Sequence, residues 1–222
     1  MIRLFSAIFS SIVLFSTLSL YAQDPVDIAN ARGSALIDST MASLNIRAQR
    51  FNEELAKVNA LKALDVPSLT KDIIPKNKEK IKDFLDYLDV YRELSKQLMQ
   101  ATVDTVTELK NLMPKRLKAA FMEDFLDAYK LDQNTFDRYT LELTKVFTNV
   151  VKALTYLETS KVTIVDKKLQ FTDKLEYDEY NKLITDVEKS QKRLVTAGAA
   201  SQKASIDASS VMQKAYGKLN KR

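Results

Sequence analysis

From Ile37 onward the apolar residues recur in steps of four and three: Ile37, Met41, Leu44, Ala48, Phe51, Leu55 and Val58. That spacing lays them along one stripe of an α-helix. Asp24 can cap such a helix, Pro25 suits its first turn and Asp27 complements its dipole, so the first rod is expected from there to about Leu64. "DVPSLTKDIIPKNK", with Pro67 and Pro75, then reads as a connection. A second stripe follows through Ile81, Leu85, Leu88, Tyr91, Leu94, Leu98, Thr102, Val106, Leu109 and Met113, and Pro114 ends or kinks it.

The third rod begins with Leu117, Phe121, Phe125 and Ala128 on one face. "DQNT" at 132–135 interrupts the stripe, as a break near 131–135 or as a passing irregularity. Phe136, Tyr139, Leu143, Val146, Val150, Leu154 and Leu157 then resume it. The last rod starts at a capping-box-like pair, Asp173 and Glu176. It keeps one frame through Tyr180, Ile184, Val187, Gln191, Leu194, Gly198, Ser201, Ser205, Ala208, Met212, Ala215 and Leu219.

Only one stretch breaks the helical period. In "KVTIVDKKLQFTD", about residues 161–172, apolar and polar residues alternate, which predicts a short β-hairpin. Val162 and Ile164 would share a face with Leu169 and Phe171 across a turn at Asp166, Lys167 and Lys168. A lone hairpin is marginal and must rest on something. Tyr156, Tyr177, Tyr180 and the Pro67–Pro75 loop are the neighbours it is expected to find.

Rods of this size are about 55–65 Å long at 1.5 Å per residue. Short connections make neighbours antiparallel, so the expected fold is all-α: an elongated antiparallel four-helix bundle with the hairpin inserted before its last helix. It forms a single domain over 23–222. The first and last rods would then lie side by side. Their facing segments, "ANARGSALIDSTMAS" at 29–43 and "AGAASQKASIDASS" at 197–210, are rich in small residues and predict a tight seam there. Three glycines and four prolines in 222 residues agree with few, long elements.

The first residues carry a different pattern. Arg3 is followed by an apolar and hydroxyl run from Leu4 to Leu20, and Ala22 offers a small residue before Gln23. Residues 1–22 therefore read as a secretory signal peptide, placing the mature chain in the periplasm or outside the cell. The alternative is an uncleaved inner-membrane anchor over residues 4–22, since about 19 residues can span a bilayer. Removing the segment takes away one cation, so the net charge of +5 stays a mild excess. That balance does not suit a nucleic-acid partner.

Composition then removes chemistry. There is no cysteine and no histidine, so disulfides, lipobox acylation, Cys–His and Ser–His nucleophile pairs and HExxH zinc sites are excluded. The paired carboxylates in "EDFLDAY" (123–129) and "DKLEYDEY" (173–180) lack the histidines of di-iron bundles and the glycine-bearing loop of calcium sites, and read as solvated faces. No catalytic residue, cofactor or metal is expected.

Two surfaces stand out. Ile164, Leu169, Phe171, Tyr177 and Tyr180 would gather at the hairpin end as a lid on the core or as an interaction surface. Lys110, Lys115, Arg116, Lys118, Lys214, Lys218, Lys221 and Arg222 would gather at the opposite end as contacts for an anionic surface. Cations at helix C-termini also compensate the helix dipole, which accounts for these residues without a partner surface.

The sequence around "LQF" (169–171) and "EYNKLI" (179–184) resembles an uncharacterised family of bacterial exported helical proteins, many of them lipoproteins. The resemblance covers residues 141–187, and this chain departs from it in lacking the lipid-bearing cysteine. It implies an envelope location and a helical fold with this hairpin, and brings no activity, cofactor or catalytic residue. The expected function is thus a non-enzymatic envelope protein with an interaction or structural role, its partner another envelope protein or the membrane surface. A pore-forming-like protein with a β-tongue and a ligand-sensing bundle are the alternatives.

Overall fold

The computed structural model describes residues 25–59, 61–112 and 118–219; the signal segment expected over residues 1–22 lies outside them. Four helices carry the fold: α1 (Pro25–Asn59), α2 (Ile73–Leu112), α3 (Lys118–Thr159) and α4 (Lys174–Leu219). Between α3 and α4 stand two strands, β1 (Thr163–Val165) and β2 (Lys168–Gln170).

Cross-helix pairs set the directions. Arg32 reaches Glu108 and the Phe51 ring meets the Tyr91 ring at a tilt, so α1 and α2 run antiparallel. Lys110–Glu123, Arg92–Asp137 and Lys78–Glu158 do the same for α2 and α3, as Asn149–Ser190 and Tyr156–Glu176 do for α3 and α4. The result is the expected elongated up-down-up-down bundle.

The connections differ from expectation in detail. α1 stops at Asn59, not near Leu64, and the chain turns through Lys62, whose φ of 46° is left-handed. Pro67 lies in a 3-10 turn over Val66–Ser68, whereas Pro75 belongs to the first turn of α2. There its missing N–H is one of the donors a helix start leaves unpaired anyway, and the Thr70 carbonyl accepts from Ile73 and Ile74 just ahead of it.

α3 is one unbroken helix through "DQNT". The polar side chains do not stop it because they find partners inside the bundle. Gln133 Nε2 donates to Asp132 Oδ2 (3.0 Å), Arg47 donates to Gln133 Oε1 (3.4 Å) and to Ser95 Oγ, and Thr135 donates back to the Leu131 carbonyl. With buried Thr40, Thr102 and Ser201 these side chains form a polar layer across the bundle. It separates two apolar cores. One runs from Phe51, Leu88 and Leu143 up to Val162 and Tyr180, and the other holds Ile37, Val106, Phe125, Tyr129 and Met212.

The tight seam is not where small residues on α1 and α4 predicted it. Backbones approach most closely between α3 and α4, and far less between α1 and α4. α4 turns Ala197, Ser201, Ala204 and Ala208 inward, and a Cβ on Gly198 would already sit 3.4 Å from the ring of Tyr139 on α3. Small side chains permit that approach, but the stripe cannot tell which neighbour takes it. The inward stripe of α4 also drifts from a strict heptad: Ser190 is buried while Gln191 and Ser205 are exposed. Ala48 and Leu94 likewise face outward.

Candidate functional site

The hairpin end is assembled from three segments. Ile164 pairs directly with Leu169 across the strands, and both pack on the upper core with Leu61, Ala63, Leu64 and Phe171. β2 lies against the Val66–Ser68 turn. Val162, just before β1, is 2 % exposed and anchors the hairpin's entry. The turn has two residues, Asp166 and Lys167, with φ of 49° and 61°; Lys168 is already in β2. Two positive φ values define the tight reversal that suits strand twist, here made without glycine.

α4 starts where the hairpin ends, and its cap joins the two. Asp173 Oδ1 accepts from the Glu176 N–H (2.9 Å), while Glu176 Oε2 accepts from the Thr172 N–H (3.0 Å). This is a reciprocal capping box shifted one residue outward on its return bond. The Tyr156 hydroxyl donates to the Glu176 carbonyl at 3.0 Å, tying α3 to the same turn.

Aromatic rings fill the angle. Phe171 meets Tyr177 edge-on at 5.4 Å and Tyr180 at 5.5 Å, and Tyr180 stacks on Tyr156 at 6.4 Å. Burial pushes the Tyr180 phenol above its ordinary value; burial, then the Glu179 and Glu176 carboxylates, do so for Tyr156. Both phenols stay neutral, and Tyr156 keeps the proton it donates to the Glu176 carbonyl. The five residues singled out at this end thus come together, with unequal roles. Tyr180 is buried and supports Phe171, whereas Tyr177 is 50 % exposed. The sequence stripes passed over two exposed apolar residues of this end, Val165 and Leu175, the latter 75 % exposed. Each sits off the inward stripe, Val165 by strand alternation and Leu175 by helical period.

The basic end is less uniform. Lys115, Arg116, Lys221 and Arg222 lie outside the described residues, as do the side chains of Lys118 and Lys218. Lys110 pairs with Glu123, and Lys214 is exposed without an ion pair among the described residues. Of the paired carboxylates, Glu123 serves that ion pair and Asp173 and Glu176 serve the cap. Among the described residues no group of acidic side chains could hold a metal ion, and no helix is long and apolar enough to cross a membrane.

A further feature lies between α3 and α4, a furrow of about 290 Å³ lined by Thr148, Asn149, Lys145, Lys152, Lys189 and Arg193, among others. Its cations were legible as letters, but nothing in the sequence showed that they face one another.

Fold and surfaces together define a long four-helix bundle closed at one end by a β-hairpin. The chain belongs to DUF3053, described as a protein of unknown function, whose family model matches residues 43–202. That span contains the hairpin and most of the bundle, well beyond the 141–187 region that first suggested a family of this kind. No curated protein and no solved structure matches the chain.

Proposed function

We propose that this is a non-enzymatic, exported envelope protein that acts through its hairpin end, on which another envelope protein docks. The observation that carries the reading is the contrast within that end. A rigid base of paired strands, capping box and stacked rings presents Leu175 and Tyr177 to solvent. Apolar and aromatic side chains held on an ordered support lose little conformational entropy when covered, which suits a contact surface better than a lid alone. The chain's lack of histidine and cysteine supports a role without catalysis.

The pore-forming alternative fits less well. Strands of three residues with Asp166, Lys167 and Lys168 around the tip fall far short of the roughly 9–11 residues a membrane strand needs.

A photo-crosslinking residue placed at Leu175 or Tyr177 in the native host should yield one discrete adduct in the envelope fraction, and one at exposed Lys96 should not. Adducts from all three positions, or from none, would refute the docking surface. The intact mass of the fractionated chain tests the location: a species starting at Gln23 is expected, and a cytoplasmic species retaining Met1 would remove the exported reading.

A further inference from the structure

The α2–α3 seam is electrically balanced: Lys78, Arg92 and Lys110 each meet a carboxylate of α3 or its start across the gap. The α3–α4 seam is not. Among the described residues no ion pair crosses it, although backbones approach most closely there. Around the furrow four cations, Lys145 and Lys152 from α3 and Lys189 and Arg193 from α4, share one carboxylate in the lining, Asp186.

Two of the four have local partners. Lys145 bonds Glu142 on its own helix, and Lys189 lies 3.9 Å from Asp186 on its own helix. Lys152 and Arg193 make no ion pair among the described residues. Solvated lysines on a helix face need no explanation, but these stand on both banks of one polar channel.

The floor explains why the channel exists. Thr144, Thr148, Asn149 and Ser190 are small and polar where a bundle seam ordinarily interlocks larger apolar side chains. Ser190 and Asn149 are bonded to each other and to α4 carbonyls, and Thr144 donates to the Thr140 carbonyl. The Thr148 hydroxyl, on a half-buried residue of the lining, has no hydrogen-bond partner among the described residues, so a donor remains open to the furrow.

We propose that this furrow is an anion-binding site for a small ligand carrying linked phosphoryl groups. Lys145 and Lys152 stand seven residues apart on α3, about 10 Å along the axis, which suits more than one phosphoryl group. Arg193 offers the planar donor fork that matches phosphate oxygens, and the lysines add point charges. The volume of about 290 Å³ is at the lower end for ligand sites and far too small for a nucleic-acid duplex. The site is independent of the hairpin end and stands or falls without it.

Calorimetric titration of the purified protein with inorganic tripolyphosphate at low ionic strength tests the site. Vesicles of phosphatidylglycerol, against phosphatidylcholine vesicles, distinguish a lipid headgroup from a free phosphate. The double variant Lys152→Glu/Arg193→Glu should lose about tenfold or more in affinity. Lys167→Glu/Lys168→Glu, the same charge change at the hairpin tip, should change it less than about twofold. Circular dichroism melts establish that both variants fold, and Lys152→Arg should keep binding. Binding of tripolyphosphate lost only in the first variant supports a free phosphoryl ligand. Capture by phosphatidylglycerol alone, lost in the same variant, supports the same chemistry on a lipid. Absence of both, or equal losses in the two double variants, overturns the site.

Discussion

Asp132 shows how one residue can mislead a pattern and still be placed by physics. Its carboxylate sits in the polar layer beside Gln133, Ser205 and Arg47, and burial raises its pKa above the ordinary value even though those three neighbours lower it. A carboxyl group that titrates higher in the folded chain than in the unfolded one keeps its proton longer when folded. Stability then falls as pH rises from the unfolded value through the raised one. Asp132→Asn retains an oxygen for Gln133 and has no charge to desolvate. Relative to the native chain it should therefore gain stability as pH rises above the ordinary aspartate value of about 4, read from urea midpoints at each pH. A difference between the two chains that stays constant with pH would show that burial does not raise the Asp132 pKa. In the sequence this residue is one letter of "DQNT", a plausible helix break. Two of its three partners, Arg47 and Ser205, come from α1 and α4, some 70 to 90 positions away, so no local rule could count them.

At the scale of elements, the hairpin was readable because alternation needs only neighbours, and the turn was not fully so. Three residues were expected in it, and two, Asp166 and Lys167, make it. Lys167 at φ 61° occupies a region where a side chain is unfavourable by about 1 kcal/mol. Lys167→Gly should therefore raise stability by up to about 1 kcal/mol, a shift of about 2–4 °C in the melting midpoint for a chain of this size. A fall would mean that the lysine side chain makes a contact worth more than the backbone strain. The capping box at Asp173 and Glu176 is the opposite case. It was legible because all its atoms lie within five consecutive residues.

For the whole molecule, packing is uneven: α3 and α4 form a close pair, α2 joins α3, and α1 is held by fewer close approaches. Helices with fewer buried neighbours open first. Amide exchange followed by mass spectrometry should find α1 losing protection before α3 and α4, and equal protection across the four helices would contradict the unevenness. The sequence by itself determined the four rods, their order and antiparallel sense, and the hairpin's place, because periodicity and short connections depend only on residues near one another in the chain. The absence of histidine and cysteine also set outer limits on chemistry. Tertiary structure alone decided which helices close up, since small residues on α4 could equally have admitted α1 or α3. It decided that "DQNT" is a satisfied polar layer, and it brought Lys145, Lys152, Lys189 and Arg193 to one furrow. Each of these depends on the rotation and register of one helix against another, and those are settled by the fit of whole faces.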